Sequence, residues 1–155
     1  MRWAAGAGTV LARFGGVAAR PQAEAAERLL REAGLEAELA TDDESLWQAQ
    51  RDGQRSPNGL VVRVSALQTD LGELAATAER YGAALVGRAG LGLSWLRLDE
   101  GDWDALVYEL RGRYVAVVLD RPAGMAAEPR EPTDPGAAVL TRRVKERFDP
   151  SGTLV

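Results

Sequence analysis

Cysteine and histidine are both absent from this chain of 155 residues. Without cysteine there is no disulfide framework, no thiolate nucleophile and no cysteine-ligated zinc. Without histidine there is no Ser-His-Asp triad, no imidazole base and no histidine-ligated metal. These absences argue against an unaided hydrolase or metalloenzyme. If the chain takes part in catalysis, we expect the difficult chemistry to reside on a cofactor or on another polypeptide.

Positive charge and long apolar runs are also scarce. Lys145 is the only lysine, and 19 basic residues against 23 acidic ones give a net charge of -4. A nucleic-acid-binding domain needs a basic surface, so we expect no nucleic-acid partner. No segment resembles a secretory signal or a membrane span, and the lack of cysteine fits a cytoplasmic protein. The 46% of hydrophobic residues suffices for one folded domain with a core.

The middle of the chain contains the clearest alternation of strand and helix patterns. A β-prone run over 60–64 precedes a helical apolar stripe closed by Gly82. Two strands over 83–88 and 91–98 form a hairpin, with its turn at Ala89-Gly90. Asp102 is placed to cap the next helix, which ends at Gly112, and the last strand covers 114–119. The resulting β-α-β-β-α-β order is typical of a ferredoxin-like fold.

The segment before this unit predicts an N-terminal β-α-β arm. It consists of a strand over 9–14, a helix from Pro21 to Gly34 and a strand over 35–40. Thr41 and Glu44 then have the spacing of a capping box that opens another helix. The predicted fold is therefore α+β: an open, largely antiparallel sheet with helices on one face, extended by this arm.

Four proline residues between 121 and 136 indicate a linker loop. We therefore predict a domain over residues 1–120, the loop over 121–136, and a C-terminal helix and tail of the same domain over 137–155. The helix has Leu140, Val144 and Phe148 on one side.

Two sequence features suggest cofactor or metal sites but fit structural roles better. Gly6-Ala7-Gly8 lacks the third glycine of a dinucleotide-binding loop, because Leu11 occupies its position, and a strand follows where a helix should begin. The acidic run Asp42-Asp43-Glu44 lies in a first helical turn, where carboxylates favour the helix dipole. No complementary ligand set is visible, so we expect no metal site.

The face of the sheet left open by the helices is the candidate binding surface. Strand alternation puts Arg13 and Arg63 opposite the apolar faces of their strands, and it puts Trp95 and Arg97 on one face of theirs. If the three arginines lie on one concave side of the sheet, they could bind a carboxylate through bidentate hydrogen bonds, and Trp95 could form a wall of the binding site. The alternative is that they are ordinary arginines with packed stems and solvated heads.

The most specific motif lies at the C-terminus, where Arg143-Val144-Lys145-Glu146-Arg147-Phe148-Asp149-Pro150-Ser151-Gly152-Thr153-Leu154 follow one another. This run resembles the C-terminal motif of FAD-linked oxidases, most closely the FAD-binding subunit of glycolate oxidase. Arg13-Phe14-Gly15-Gly16, Leu46-Trp47 and the run over 60–65 are similar to the same subunit. The likeness covers nearly the whole chain.

The resemblance implies a ferredoxin-like cap over FAD that a separate, upstream N-terminal domain holds. It implies docking to that domain through Arg143, Lys145, Arg147, Phe148, Asp149 and Pro150, a basic run whose alternative role is a solvated helix face. It also implies other oxidase subunits as partners, namely a catalytic flavoprotein and an iron-sulfur subunit. Catalytic subunits of this group carry histidines in this half, and this chain has none, so we assign no catalytic residue.

Two functions follow as expectations. The first is a C-terminal substrate or cap domain of an FAD-dependent 2-hydroxy-acid oxidoreductase of glycolate type, excised from a longer protein and inactive alone. The second is a stand-alone ferredoxin-like module that binds a small acid or dimerises.

Overall fold

The structure is a computed structural model, and it describes residues 1–125 and 135–148. The chain divides into two compact units, Met1–Ala123 and Gly124–Val155. The described residues of the first unit form β1 (Arg2–Ala4), β2 (Ala7–Thr9), α1 (Ala19–Glu32), α2 (Glu44–Asp52), β3 (Leu60–Ser65), α3 (Leu71–Tyr81), β4 (Ala84–Arg88), β5 (Leu93–Leu98), α4 (Trp103–Arg113) and β6 (Val115–Asp120). Those of the second unit form α5 (Pro135–Phe148). None of these described helices is long and apolar enough to cross a membrane.

The six strands form one open sheet in the order β2-β1-β4-β5-β3-β6, and every neighbouring pair is antiparallel. The prediction of an α+β fold with an open, antiparallel sheet is confirmed. The order β4-β5-β3-β6, with α3 after β3 and α4 after β5, is consistent with a ferredoxin-like arrangement. The two long central strands, β3 and β5, pair along their full length.

The core lies between one face of the sheet and the pair α3 and α4. Alternate strand residues point to this face and are buried there: Leu60, Val62, Val64, Leu85, Leu96 and Leu98. The helices contribute Leu74, Ala78, Leu106 and Leu110, spaced three or four residues apart. Ion pairs of Arg80 with Glu109 and of Arg113 with Glu73 join α3 to α4. The helical periodicity read from the sequence is therefore confirmed for both helices.

The opposite face is not left open, as predicted, but is partly covered. Val61 and Val86 point away from α3 and α4 and are nevertheless buried. A Cβ placed on Gly53, directly after α2, would lie 2.6 Å from Cγ2 of Val86, so the end of α2 packs on this face. Helices therefore contact both faces. The sequence analysis missed this because nothing in α2 specifies which face it covers.

The predicted N-terminal β-α-β arm does not form. Only α1 appears; residues 10–15 and 35–40 are irregular and mostly exposed. The sheet edge at β4 is instead occupied by β1, where Met1 and Gly87 exchange backbone hydrogen bonds. After α1, the Arg31 guanidinium donates to the carbonyl of Ala37 and fixes that segment in a turn. A β-prone run that pairs with no neighbouring strand does not become part of a sheet.

The glycines near the N-terminus shape a β-hairpin. Ala5 and Gly6, between β1 and β2, both have positive φ, the requirement of a tight two-residue hairpin turn. Gly8 lies against the ring of Trp3, since a Cβ there would be 2.7 Å from that side chain. The hairpin turn and the contact with Trp3 explain the two glycines of Gly6-Ala7-Gly8, so a nucleotide-binding role is not needed to explain them.

The β4–β5 connection is longer than the predicted turn at Ala89-Gly90 and spans residues 89–92. Gly92 has φ +63, and a Cβ there would lie 2.2 Å from the carbonyl oxygen of Ala66. The Ala66 N–H in turn donates to the Gly92 carbonyl at 2.9 Å. Only glycine satisfies both the positive φ and this backbone approach.

Side-chain N-caps were predicted for two helices, and one of them forms. Asp102 caps α4, because its Oδ1 accepts a hydrogen bond from the Ala105 N–H at 2.9 Å. The capping box from Thr41 to Glu44 does not form; Asp42 Oδ1 accepts from the Glu44 N–H instead. The side-chain oxygens of the adjacent Thr41 and Asp42 compete for the same free N–H groups, and sequence spacing alone does not decide between them.

Candidate functional site

Three of the four residues predicted for the sheet surface do share one face. Arg63 on β3 lies directly opposite Trp95 on β5, and Arg97 follows Trp95 by two residues. Cross-strand partners point to the same side of a sheet, as do alternate residues of one strand. This side is the one turned away from α3 and α4. We call Arg63, Arg88, Trp95 and Arg97 the arginine face.

Arg88 is the member of this face that sequence reasoning missed. Its guanidinium lies over the Trp95 ring, with Cζ 5.7 Å from the ring centroid, in cation–π geometry. Arg88 pairs with Leu93, two residues before Trp95. The two-residue turn predicted at Ala89-Gly90 shifts that pairing to Leu91 and moves Arg88 away from the ring. The position of Arg88 could be predicted only with the correct length of the β4–β5 connection.

Trp95 lies buried beneath this surface and is not the exposed wall of a binding site that we expected. Only 8% of the residue is exposed, since it is surrounded by its neighbours and overlaid by Arg88. The ring therefore fixes the position of one guanidinium. A ligand would reach the arginine heads before it reached the indole.

Arg97 is held partly inside the protein. Its Nε lies 3.4 Å from Asp99 Oδ2, but this nitrogen is buried and makes no hydrogen bond. Its side chain is 37% exposed, so part of the guanidinium remains at the surface. A buried N–H donor without an acceptor is costly. An anion from solvent can reach the exposed part of this guanidinium but not its buried Nε.

Two of the three guanidinium groups on this face have no ion pair in the described chain, whereas Arg97 is paired with Asp99. Within residues 1–125 and the described part of α5, no carboxylate forms an ion pair with Arg63 or Arg88, which are both exposed. Guanidinium groups bind carboxylates and phosphates with paired, planar hydrogen bonds. Guanidinium and indole groups are hydrogen-bond donors without an acceptor, so this face has the chemistry to bind and orient an anion.

Arg13, the fourth predicted residue, does not lie on the sheet. It follows β2 in an irregular segment, and its Nε pairs with Asp43 Oδ2 at 3.1 Å. The prediction that Arg13 shares the face of Arg63 is therefore wrong. The cause is the missing strand over 9–14, without which alternation carries no information about direction.

The acidic run Asp42-Asp43-Glu44 has structural partners. Asp43 Oδ2 accepts a hydrogen bond from Trp47 Nε1 at 2.9 Å besides pairing with Arg13. Within the described part of the chain, no group of three or more acidic side chains is arranged to hold a metal ion.

The residues predicted for domain docking fall mainly on α5. Arg143, Arg147 and Phe148 are exposed on that helix. The side chain of Lys145 and all of Asp149 and Pro150 lie outside the described residues, as do residues 126–134 of the predicted linker. The exposed apolar side chains Leu140, Val144 and Phe148 recur every four residues along α5. This spacing places them on one side of the helix.

The first unit exposes one further surface, along β6. This strand is at an edge of the sheet, and Val115, Val117 and Leu119 are exposed on the side of the arginine face.

Comparisons with protein-family models, with curated proteins and with solved structures gave no match to this chain.

Proposed function

We propose that this chain is the C-terminal cap domain of an FAD-dependent 2-hydroxy-acid oxidoreductase, similar to the FAD-binding subunit of glycolate oxidase. The observation that carries the proposal is the arginine face. A 2-hydroxy acid has a carboxylate that must be bound and oriented. Arg63 and Arg88 offer guanidinium groups without an ion pair, next to the buried Trp95 and to Arg97, which is paired with Asp99 but partly exposed. The antiparallel sheet and the C-terminal motif agree with such a cap.

The described residues do not fit FAD itself. A flavin pyrophosphate needs a glycine-rich loop with free backbone N–H groups at a helix N-terminus. Here Gly8 is packed under Trp3 and Gly92 against Ala66. In the proposed assignment FAD belongs to a separate N-terminal domain, and the chain alone neither retains flavin nor oxidises glycolate.

In this role the arginine face would hold the carboxylate of the substrate, and α5 would contact the flavin domain. The exposed Arg143, Arg147 and Phe148 support that second assignment, since they combine positive charge with an apolar side chain. Further oxidase subunits are partners by the same proposal, and the cytoplasm is the proposed location.

The carboxylate assignment is tested by titrating the isotope-labelled chain with glycolate and following backbone amide shifts. We expect saturable shifts at Arg63, Trp95 and Arg97 with a Kd of ~1 mM, because two or three exposed guanidinium groups bind weakly without an enclosing domain. Arg63→Gln should raise the Kd at least about fivefold. The matched control is Arg28→Gln, an exposed arginine on α1, which should leave the Kd unchanged.

Shifts that never saturate, or that respond equally to both substitutions, would refute the carboxylate site. The flavin assignment has its own test, in which the chain is purified after incubation with FAD. Stoichiometric flavin on the chain would contradict the cap assignment.

A second candidate is a stand-alone module that binds a small acid, supported by the same unpaired Arg63 and Arg88. Both candidates expect glycolate to bind, so titration does not separate them. Sequencing the DNA on both sides of this stretch does. An open frame leading upstream into a glycine-rich flavin domain favours the cap; a ribosome-binding site before Met1 and a stop codon after Val155 favour the module.

A further inference from the structure

Asn58 is the only asparagine of the chain, and a glycine follows it. An asparagine before glycine is especially prone to lose ammonia, because the glycine has no side chain to hinder attack of its backbone nitrogen on the asparagine amide. Asn58 is exposed in the loop between α2 and β3, whereas Gly59 is buried. Solvent therefore reaches the reactive amide, but the attacking nitrogen lies inside the protein.

The hydroxyl of Ser56 holds this nitrogen in place. The Gly59 backbone N–H donates to Ser56 Oγ at 2.9 Å. Ser56 Oγ itself donates to Asp99 Oδ1 at 3.1 Å, so its proton is engaged by the carboxylate and its oxygen is left as the acceptor for Gly59. Ser56 is only 9% exposed, so water competes little for this hydrogen bond.

Both partners of this hydrogen bond are fixed by the rest of the fold. The Ser56 backbone N–H donates to Asp120 Oδ2 at 2.9 Å. A Cβ placed on Gly59 would lie 2.6 Å from Asp99 Oδ1 and 2.9 Å from Asp99 Cα, so Gly59 lies close against the residue that follows β5. The Gly59 nitrogen can reach the Asn58 side chain only when the loop opens and the hydrogen bond to Ser56 breaks.

We propose that Asn58 is a deamidation site and that the Ser56 hydroxyl holds the reaction back in the folded chain. In the opened loop, the Gly59 nitrogen loses its proton to solvent and bonds to Cγ of Asn58. The bond from Cγ to Nδ2 breaks, the nitrogen leaves as ammonia after taking a proton from solvent, and a five-membered succinimide remains. Water then opens this ring at either carbonyl to give aspartate or isoaspartate, so water is the only co-reactant.

The position of Asn58 gives the reaction a structural consequence. The loop leads directly into the central strand β3, whose first residue, Leu60, is fully buried. Isoaspartate adds one carbon to the backbone at this point. Either product also adds a carboxylate to a loop in which Ser56 already bonds to Asp99 and Asp120. Protection of Asn58 therefore preserves the entry to β3.

Peptide mapping by mass spectrometry tests the proposal, because it follows the conversion of residue 58 in the full chain over time. We expect the folded chain to react at least about tenfold more slowly than the same chain unfolded in guanidinium chloride. Ser56→Ala should raise the rate in the folded chain at least about fivefold, because the Gly59 N–H loses its acceptor. Ser56→Thr keeps a hydroxyl and should react more slowly than Ser56→Ala. The matched control is Ser94→Ala, which removes a 4% exposed serine on β5 and should leave the rate unchanged.

Equal rates in the folded and the unfolded chain would overturn the proposal. So would a Ser56→Ala variant that is folded by circular dichroism and reacts at the original rate, or a Ser94→Ala variant accelerated as much as Ser56→Ala. If Ser56→Ala does not fold, amide hydrogen exchange of the original chain decides. Slow exchange of the Gly59 N–H supports the proposal, and exchange as fast as in the unfolded chain overturns it. The proposal is independent of the proposed function, and the glycolate titration has a separate outcome.

Discussion

The carboxylate of Asp120 joins the end of β6 to the loop that precedes β3. Arg55 donates to both of its oxygens, at 2.8 Å from Nε to Oδ2 and 2.6 Å from Nη2 to Oδ1, and the Ser56 N–H donates to Oδ2 at 2.9 Å. The Asp120 side chain is 11% exposed. The hydrogen bonds from Arg55 hold the pKa of Asp120 below its ordinary value of 3.8, against the opposing effect of burial.

Asp120→Asn should lower the free energy of unfolding by about 1–2 kcal/mol at pH 7, discounted for the exposure of Arg55. Since the folded pKa is lower than the unfolded one, the contribution is complete above about pH 4 and is lost as pH falls through the folded pKa. Urea unfolding at pH 7 and at about pH 2 measures the difference. The variant and the original chain should converge in acid.

Asp104→Asn is the matched control, because Asp104 is exposed on α4. It should change stability by less than about 0.5 kcal/mol at either pH. An Asp120→Asn deficit that is as large in acid as at neutral pH would show that the ion pair is not its cause.

Single residues on regular strands were predictable, and those on irregular segments were not. Alternation placed Arg63, Trp95 and Arg97 on one face because β3 and β5 are long, central strands with a buried side. Arg13 was misplaced because its β-prone run pairs with nothing. Arg88 was missed because its position depends on the length of a loop.

At the scale of elements, α4 depends on one side chain at its start. Asp102 accepts the Ala105 N–H, which otherwise has no partner within the helix. Asp102→Ala should destabilise the protein by about 1 kcal/mol, the usual value of an N-cap aspartate. Thermal unfolding followed by circular dichroism measures it.

The control for this prediction is Asp104→Ala, which removes a carboxylate from the same helical turn without removing the cap. It should cost only a few tenths of a kcal/mol. Equal losses in the two variants would mean that the helix dipole, and not the cap hydrogen bond, is responsible.

The elements between residues 60 and 120 were predictable because each has its own local signal. Gly82 in left-handed conformation ends α3, Asp102 caps α4, and apolar periodicity marks the buried sides. The N-terminal strands were not predictable in the same way. β1 has three residues and is held by backbone hydrogen bonds to β4, for which composition gives no signal.

At the scale of the molecule, the core that the described residues form belongs to the first unit. Every buried hydrophobic residue of the described chain lies between Leu60 and Leu110. A chain ending at Ala123 should therefore unfold cooperatively, with a Tm within about 4 °C of the full chain, which corresponds to a loss of about 1 kcal/mol or less. Thermal circular dichroism measures this.

A chain ending at Arg113 is the comparison. It lacks β6, which pairs with one edge of the central strand β3, and it should lose the cooperative unfolding transition. If ending the chain at Ala123 also abolishes the transition, the first unit is not an independent folding unit.

The position of β3 in the sheet also bears on how the chain folds as it is synthesised. β3 is flanked by β5 and β6, and both are encoded after it. Leu60, Val62 and Val64 leave the ribosome well before any strand that covers them exists.

Pairing with β6 closes a loop of about 50 residues, whereas β4 and β5 are joined by a short connection and pair locally. We therefore expect the β4–β5 hairpin to form early and the docking of β6 onto β3 to limit the folding rate. Until then the apolar residues of β3 are exposed, and aggregation competes with folding.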